Sequence, residues 1–378
     1  MEKDSNSSST NGKSAKESTE TKKSPGKGCP EMETNKDMNT FITLDSGFKI
    51  PTIGLGTVFT ADEDAEAAVE AALTIGYRHI DTAFMYQSEK AIGKVLKRWL
   101  DAGKITRDEI FVTSKLPFHG GQPEAVEPFL KRSLENLQLD YLDLYLIHFP
   151  VSFRYQDVDS FCTDTVPTDH IALWKAMEEQ VKAGRTKNIG LSNFNTRQLD
   201  NVMAVAVIKP VVLQVEMHVN FQQRTLHEYC KNNNIVLVAY APLGSPGLLK
   251  IQSEATGTPA PDSSGEDSSS GDSPVPPEDP NAVKLPALMK DGIVLKVAQK
   301  HKKTPAQILL RYLIEKHVCV IPKSSNPERL KENFLALTFN LDINDMAALS
   351  LLDDGTNPRI LNLLNFFPQF EEHPEYPF

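Results

Sequence analysis

Cysteine is scarce in this 378-residue chain: Cys29, Cys162, Cys230 and Cys319 stand far apart, and no C-x-x-C pair occurs. That spacing excludes a disulfide scaffold and the usual zinc sites, so no metal is expected, and it suits a reducing compartment. No apolar run approaches the roughly 20 residues that cross a bilayer, and Met1-Glu2-Lys3-Asp4-Ser5 lacks the apolar character of a secretory leader. A cytoplasmic protein without a membrane partner is the expectation. Basic residues are outnumbered, 40 against 50 acidic, for a net charge of −10. This disfavours a nucleic-acid partner, because phosphate neutralisation takes clustered Lys and Arg. A complete dinucleotide-binding fingerprint is missing too. Gly54-Leu55-Gly56 opens like one and Asp81 follows about where an acidic ribose partner sits, but Phe59 stands at the third glycine position. Asp62-Glu63-Asp64 would then put carboxylates where a helix N-terminus should receive a pyrophosphate. A doubly wound nucleotide-binding sheet is rejected on these grounds, and Gly54 and Gly56 read as a tight turn at a strand end.

Aliphatic side chains are nearly absent from residues 1–38, where seven lysines balance seven acidic residues. Such a stretch cannot bury enough apolar surface to offset its ordering entropy, and a disordered tail is expected. Residues 251–283 form a second such segment, rich in Ser and Pro, with seven carboxylates and neither Lys nor Arg. It reads as a disordered acidic insertion that carries most of the net charge. Ser263, Ser264 and Ser269 each precede an acid by three positions, the pattern of acid-directed phosphorylation, although an unmodified linker is the default for so common a motif. The remainder of 39–378 is roughly 300 residues long, which suits one α/β barrel.

That remainder alternates strand and helix with regularity. β-rich runs occur at Thr52–Leu55, Tyr77–Ile80, Ile110–Ser114, Leu142–Ile147, Asn188–Leu191, Val211–Val215, Ile235–Ala239 and Val318–Ile321. Helical patterns lie between them. Ile92, Val95, Leu96, Trp99 and Leu100 form a core-facing stripe. Thr60-x-x-Glu63 is a capping box, and Thr304-Pro305 and Asn326-Pro327 each set a cap before proline at the first helical position. Thr40–Thr43 and Phe48–Pro51, around Asp45-Ser46-Gly47, predict a hairpin ahead of the first barrel strand. Eight such β–α units predict a closed parallel (β/α)8 barrel.

In a barrel the strand C-termini converge on one face, so polar residues there are candidates for a shared site. The second strand runs out through Ile80-Asp81-Thr82-Ala83 with Tyr86 close behind, the third ends at Ser114-Lys115, and the fourth at Ile147-His148. Each has a bland explanation alone: a helix cap, a loop packer, a snorkelling lysine, a satisfied core histidine. Together on three adjacent strand ends, Asp81, Tyr86, Lys115 and His148 form a set suited to proton transfer. A tyrosine keeps its proton at neutral pH, and a neighbouring lysine stabilises the phenolate and is expected to lower its pKa.

These residues carry a resemblance. Gly47–Pro51 with Gly54–Thr57, Gly76-Tyr77-Arg78-His79-Ile80-Asp81-Thr82-Ala83 with Tyr86, Lys115, Leu144–His148, Ile189–Phe194, Ala239–Ser245 and Ile321–Ser324 resemble the aldo-keto reductase superfamily from about residue 41 to Tyr376-Pro377-Phe378. Within it they are most like the aldose and aldehyde reductases, including 1,5-anhydrofructose reductase-like proteins. The resemblance implies a (β/α)8 barrel, reduction of a small-molecule carbonyl to an alcohol, NADPH as cofactor, and a monomer. It implies Tyr86 as acid with Lys115, Asp81 and His148 around it, and Ser192, Asn193 and Gln214 at the nicotinamide carboxamide. Tyr240 is implied under the ring, and Gly56, Thr57, Leu243 and Ser245 along the cofactor. Lys323, Ser324 and Arg329 fall at the 2′-phosphate, with Glu332 and Asn333 at the adenine. An Arg329–Glu332 pair on a solvated helix is the weaker alternative for those two residues. Val58, Phe118, Phe149 and His148 are implied at the substrate, with Phe366 or Phe367 nearby. Val58 and Phe149 stand where that branch usually has tryptophans, which changes the pocket's shape; Trp99 and Trp174 read as core. A non-catalytic NADPH-binding sensor or scaffold with the same fold is the alternative function.

Overall fold

The structure, a computed structural model, describes residues 40–58, 60, 62–246, 287–356 and 359–378. The tail expected at 1–38 and the acidic insertion expected at 251–283 lie outside the described residues. An antiparallel hairpin leads, β1 (Phe41–Thr43) on β2 (Lys49–Pro51), turning at Gly47 with φ +86°. The strands β3 (Leu55–Gly56), β4 (His79–Asp81), β5 (Phe111–Leu116) and β6 (Leu144–Ile147) follow. A small antiparallel pair, β7 (Ser152–Phe153) and β8 (Thr165–Val166), fills the next loop. The sheet resumes with β9 (Ile189–Ser192), β10 (Val212–Glu216), β11 (Val236–Tyr240) and β12 (Cys319–Val320).

Strands β3, β4, β5, β6, β9, β10, β11 and β12 pair in that order, all parallel. Parallel bridges Ile53–Val320 and Gly56–Lys323 join the last strand to the first, so the sheet closes into the predicted barrel. Closure explains the two glycines differently from a tight turn. A Cβ on Gly56 would lie 2.6 Å from the Ile321 carbonyl oxygen, and one on Gly54 would lie 2.7 Å from the His79 ring. Neither has a positive φ; they are small because β3 meets β12 and His79 there.

Helices α1 (Asp62–Ile75), α2 (Glu89–Asp101), α3 (Val126–Leu137), α4 (His170–Lys182), α5 (Thr196–Met203), α6 (Arg224–Asn232), α7 (Gly292–His301) and α8 (Pro305–Glu315) link the strands, and α9 (Pro327–Phe334) and α10 (Ile343–Ser350) follow the last. The predicted stripe on α2 buries Ile92, Val95, Leu96 and Trp99 against the sheet. Thr304 and Gln307 form a reciprocal capping box on α8, and the Asn326 side chain caps α9. Trp174 is fully buried, its indole N–H donating to the Ile208 carbonyl. The hairpin supplies Leu44 and Ile50 to a second cluster with Phe111, Leu144, Leu146 and Val212, which fills the barrel interior. No helix among the described residues is long and apolar enough to cross a membrane.

Candidate active site

Side chains alternate between the two faces of a strand, and this decides what β5 offers the barrel interior. Phe111 joins the interior cluster, while Val112 and Leu116 pack outward. Ser114 also points outward, donating to buried Glu89 at 2.7 Å. Lys115 therefore faces inward, at the open end. Parallel register places Asp81 beside Thr113 and Lys115 beside Leu146. Tyr86 arrives on a single 3-10 turn, Phe84–Tyr86, closed by Gln87 at φ 60°.

Lys115 is fully buried, and its Nζ donates to Asp81 Oδ1 at 2.5 Å, to the Thr82 carbonyl at 2.8 Å and to the Tyr86 hydroxyl at 3.4 Å. Gln214 donates to Asp81 Oδ2 at 2.8 Å, so the carboxylate is held on both oxygens. The Tyr86 ring meets the His148 ring edge-on, with centroids 5.7 Å apart. All four residues of the predicted tetrad thus lie together.

Their protonation follows from burial and charge. Burial is the largest influence on Lys115 and acts to discharge it, yet Asp81 and Tyr86 together outweigh burial and hold its pKa above the ordinary lysine value. Desolvation raises the Tyr86 phenol, and Lys115 reverses this only in part. That corrects the expectation of a lowered phenol pKa: the net shift is upward because burial outweighs the ammonium. Burial, and then repulsion by Lys115, pushes His148 well below the usual histidine value, leaving a neutral imidazole. The result is a protonated phenol between a buried cation and a neutral ring at the mouth of a barrel.

Residues 52–354 match the family model described as the aldo/keto reductase family. The chain belongs to the aldo/keto reductase family. It is 39% identical over 346 residues to aldo-keto reductase family 1 member A1 of Xenopus tropicalis, covering 89% of this chain and 96% of that protein. It is 37% identical over 352 residues to prostaglandin F synthase 1 of Bos taurus, covering 89% and 97%. Among solved structures, the aldose reductase from Schistosoma japonicum matches with a TM-score of 0.74 at 36% identity, over 89% of this chain and 98% of that one. This is the (β/α)8 fold of an oxidoreductase family, and the aldose and aldehyde reductase-like branch of it.

Around the tetrad of this aldo/keto reductase, the residues expected at a nicotinamide cofactor form a hydrogen-bonded rim. Ser192 ends β9, and its hydroxyl accepts from the Asn193 amide at 3.1 Å. Asn193, at φ 66°, also donates to the His148 carbonyl at 3.0 Å and accepts from the Tyr240 hydroxyl at 2.8 Å. The Thr57 hydroxyl donates to the Asp81 carbonyl at 3.0 Å, which ties β3 to β4. After Tyr240 the backbone is unusual: Ala241, Gly244 and Ser245 all have positive φ. Non-glycine residues seldom adopt that conformation, and it often marks a ligand loop. Leu243 in that loop is half-buried and packs on the core.

Lys323 and Arg329 are exposed and Ser324 is half-exposed, and neither cation makes an ion pair with another described residue. Their donor chemistry fits a phosphate. The alternative Arg329–Glu332 pair does not form; the Glu332 carboxylate accepts the Thr304 hydroxyl at 2.6 Å instead. Asn333 is buried beside it. Among the described residues no group of three or more His, Cys, Asp or Glu side chains converges as a metal site.

The apolar side of the site is aromatic. Phe118 lies 5.4 Å from the His148 ring and contacts Phe149, Phe367 and Phe370. Phe149 stacks on Phe370, at 5.3 Å and 15°. Val58, two residues beyond β3, is half-buried. Phe366 is 51% exposed, so of the two neighbouring phenylalanines it is Phe367 that meets the cluster. One residue escaped the sequence reading. Glu216 ends β10 fully buried, and its carboxylate accepts the backbone N–H groups of Ile360 at 2.7 Å and Leu361 at 2.8 Å, anchoring the C-terminal segment. Its signal was the same as that of Lys115 and His148, an ionisable side chain closing an apolar strand.

Proposed function

We propose that this protein reduces sugar-derived or other small aldehydes and ketones to alcohols, using NADPH and with Tyr86 as the general acid. The observation that carries the reading is the buried Lys115 ammonium, fixed by Asp81 and directed at the Tyr86 hydroxyl 3.4 Å away. The bound cofactor would supply a hydride to the carbonyl carbon. Tyr86 holds the proton that the developing alkoxide requires. As that proton leaves, the phenolate is neutralised by Lys115, and Asp81 keeps Lys115 charged and aimed. Positioned acids of this kind contribute about 10²–10⁴-fold in rate. The neutral His148 ring keeps one N–H with which to orient the carbonyl oxygen.

On this reading Ser192, Asn193 and Gln214 would hold the carboxamide, and Tyr240 would face the nicotinamide ring. Gly56, Thr57, Leu243 and Ser245 would line the cofactor's path, and Glu332 and Asn333 would receive the adenine. Lys323, Ser324 and Arg329 would take the 2′-phosphate, for which a guanidinium fork is well shaped, favouring NADPH over NADH. Val58, Phe118 and Phe149 make the substrate side apolar. The resemblance to the family supports a monomer working in the cytoplasm. The test is the loss of NADPH absorbance when the purified full-length chain meets a panel of aldehydes and ketones, repeated with NADH. Oxidation with a clear NADPH preference is expected. Tight NADPH binding without oxidation across the panel would overturn the proposal in favour of a non-catalytic nucleotide sensor or scaffold.

A further inference from the structure

The last residues of the chain do two things at once. Phe370 packs on Phe118, Phe149 and Phe153, and the Tyr376 and Phe378 rings lie 6.4 and 6.0 Å from Phe149. The segment 370–378 therefore builds the outer part of the aromatic wall whose inner member, Phe118, faces His148. The same segment is fastened to the entry of α5. Arg197 grips the Glu375 carboxylate with both terminal nitrogens, at 2.8 and 3.3 Å. Gln198 donates at 2.9 Å to both the carboxylate and the backbone carbonyl of Glu375. Asn195 donates to the Pro377 carbonyl at 3.2 Å, and His170 lies 3.7 Å from the carboxylate.

This attachment point is not an arbitrary patch of surface. Asn195 and Gln198 form the reciprocal capping box that starts α5. Two residues earlier in the same turn stands Asn193, which holds the His148 carbonyl and the Tyr240 hydroxyl. One carboxylate thus joins the aromatic wall to the turn that positions His148. An exposed ion pair alone is weak, but a two-pronged guanidinium grip with an added amide donor fixes geometry as well as charge.

We propose that Glu375, gripped by Arg197 and Gln198, is a positioning residue that sets the shape of the substrate wall and thereby the preference for bulky over small carbonyls. It does not touch the reacting atoms. The proposal rests on the reductase reading for its kinetic consequence, but the latch itself is measurable without turnover.

The test compares wild type with Glu375→Ala, Arg197→Ala and Arg197→Lys in the full chain, and with the charge-reversed pair Glu375→Arg with Arg197→Glu. Amide hydrogen exchange is followed at Phe370, His373 and Tyr376, whose N–H groups close successive turns in the segment. Each alanine variant should speed this exchange about tenfold or more while exchange in β5 stays unchanged, with partial rescue by Arg197→Lys and by the reversed pair. In the same proteins, kcat/KM for 4-nitrobenzaldehyde relative to propanal should fall roughly 3- to 10-fold, the scale of losing one or two aromatic contacts. Unchanged exchange in both alanine variants overturns the latch. Faster exchange with an unchanged ratio overturns its role in specificity. A wild type that oxidises NADPH with neither aldehyde removes the kinetic half of the proposal together with the reductase reading, and exchange then decides the latch alone.

Discussion

Replacing Asp81 by Asn separates the charge of this residue from its volume, and the consequence can be worked through. Asp81 and Lys115 have side-chain exposures of 2% and 0%, so water cannot screen what the substitution leaves behind. Asp81 accepts from two donors, Lys115 on one oxygen and Gln214 on the other, whereas asparagine offers a single acceptor. One donor is stranded and the buried ammonium loses its counter-charge. Breaking a buried pair on one side typically costs about 3–5 kcal/mol. The pH dependence identifies the cause. In the wild type the folded pKa of Lys115 lies above its unfolded value, so the stabilisation is fully present below about pH 10.5 and is lost as pH rises through the folded pKa. Without Asp81, burial dominates and the folded pKa falls below the unfolded one. The variant's penalty is then greatest at low pH and shrinks by about 1.4 kcal/mol per pH unit as pH climbs toward the ordinary lysine range. A penalty of the stated size would close over roughly two to four pH units. Urea denaturation at pH 7, 8, 9 and 10 reads this directly, with buried Trp99 and Trp174 as fluorescence probes. A wild-type-to-variant gap that stays flat across that range would refute the reasoning, because the lost interaction would not involve a titrating lysine.

Four further outcomes follow from the same geometry. Tyr86→Phe should lower turnover about 10²–10⁴-fold while NADPH binding, measured by fluorescence, persists; turnover within twofold of wild type removes Tyr86 from proton transfer. Arg329→Ala should raise KM for NADPH much more than for NADH, and equal effects would place Arg329 away from the 2′-phosphate. Since burial and Lys115 hold His148 well below the usual histidine pKa, kcat/KM should show no acid limb near pH 6.5; a limb there that disappears in His148→Gln contradicts this. Thr304→Ala removes the cap of α8 and should cost about 1 kcal/mol in urea titration, with no change meaning that the capping box adds nothing.

The barrel was legible because its signals are local and repeated. β-rich runs at regular spacing, proline-first helix starts and a strong stripe on α2 all mark elements without any knowledge of their neighbours. The tetrad was legible for a related reason: an ionisable residue closing an apolar strand conflicts with packing, and three adjacent strands carried that conflict. What stayed hidden depends on contacts between residues distant in sequence. Gly56 looked like a turn, yet its need for a bare Cα comes from Ile321, far along the chain, where the last strand closes on the first. The upward shift of Tyr86 was likewise invisible, since proximity to Lys115 follows from strand order but the depth of burial does not.

Gln214 shows the limit most clearly. The family resemblance implied a ligand contact for it, and nothing in the local run Val212–Glu216 points across the barrel to Asp81. Register and curvature together bring it there, and its amide then supports the carboxylate that keeps Lys115 charged. Gln214 therefore supports the tetrad directly, and Asn193 does the same for His148 through its backbone carbonyl. The polar rim proposed to hold the cofactor and the tetrad share their hydrogen bonds. A substitution in either should disturb the other, so a cofactor-binding defect at Gln214 or Asn193 would be accompanied by a changed pH profile.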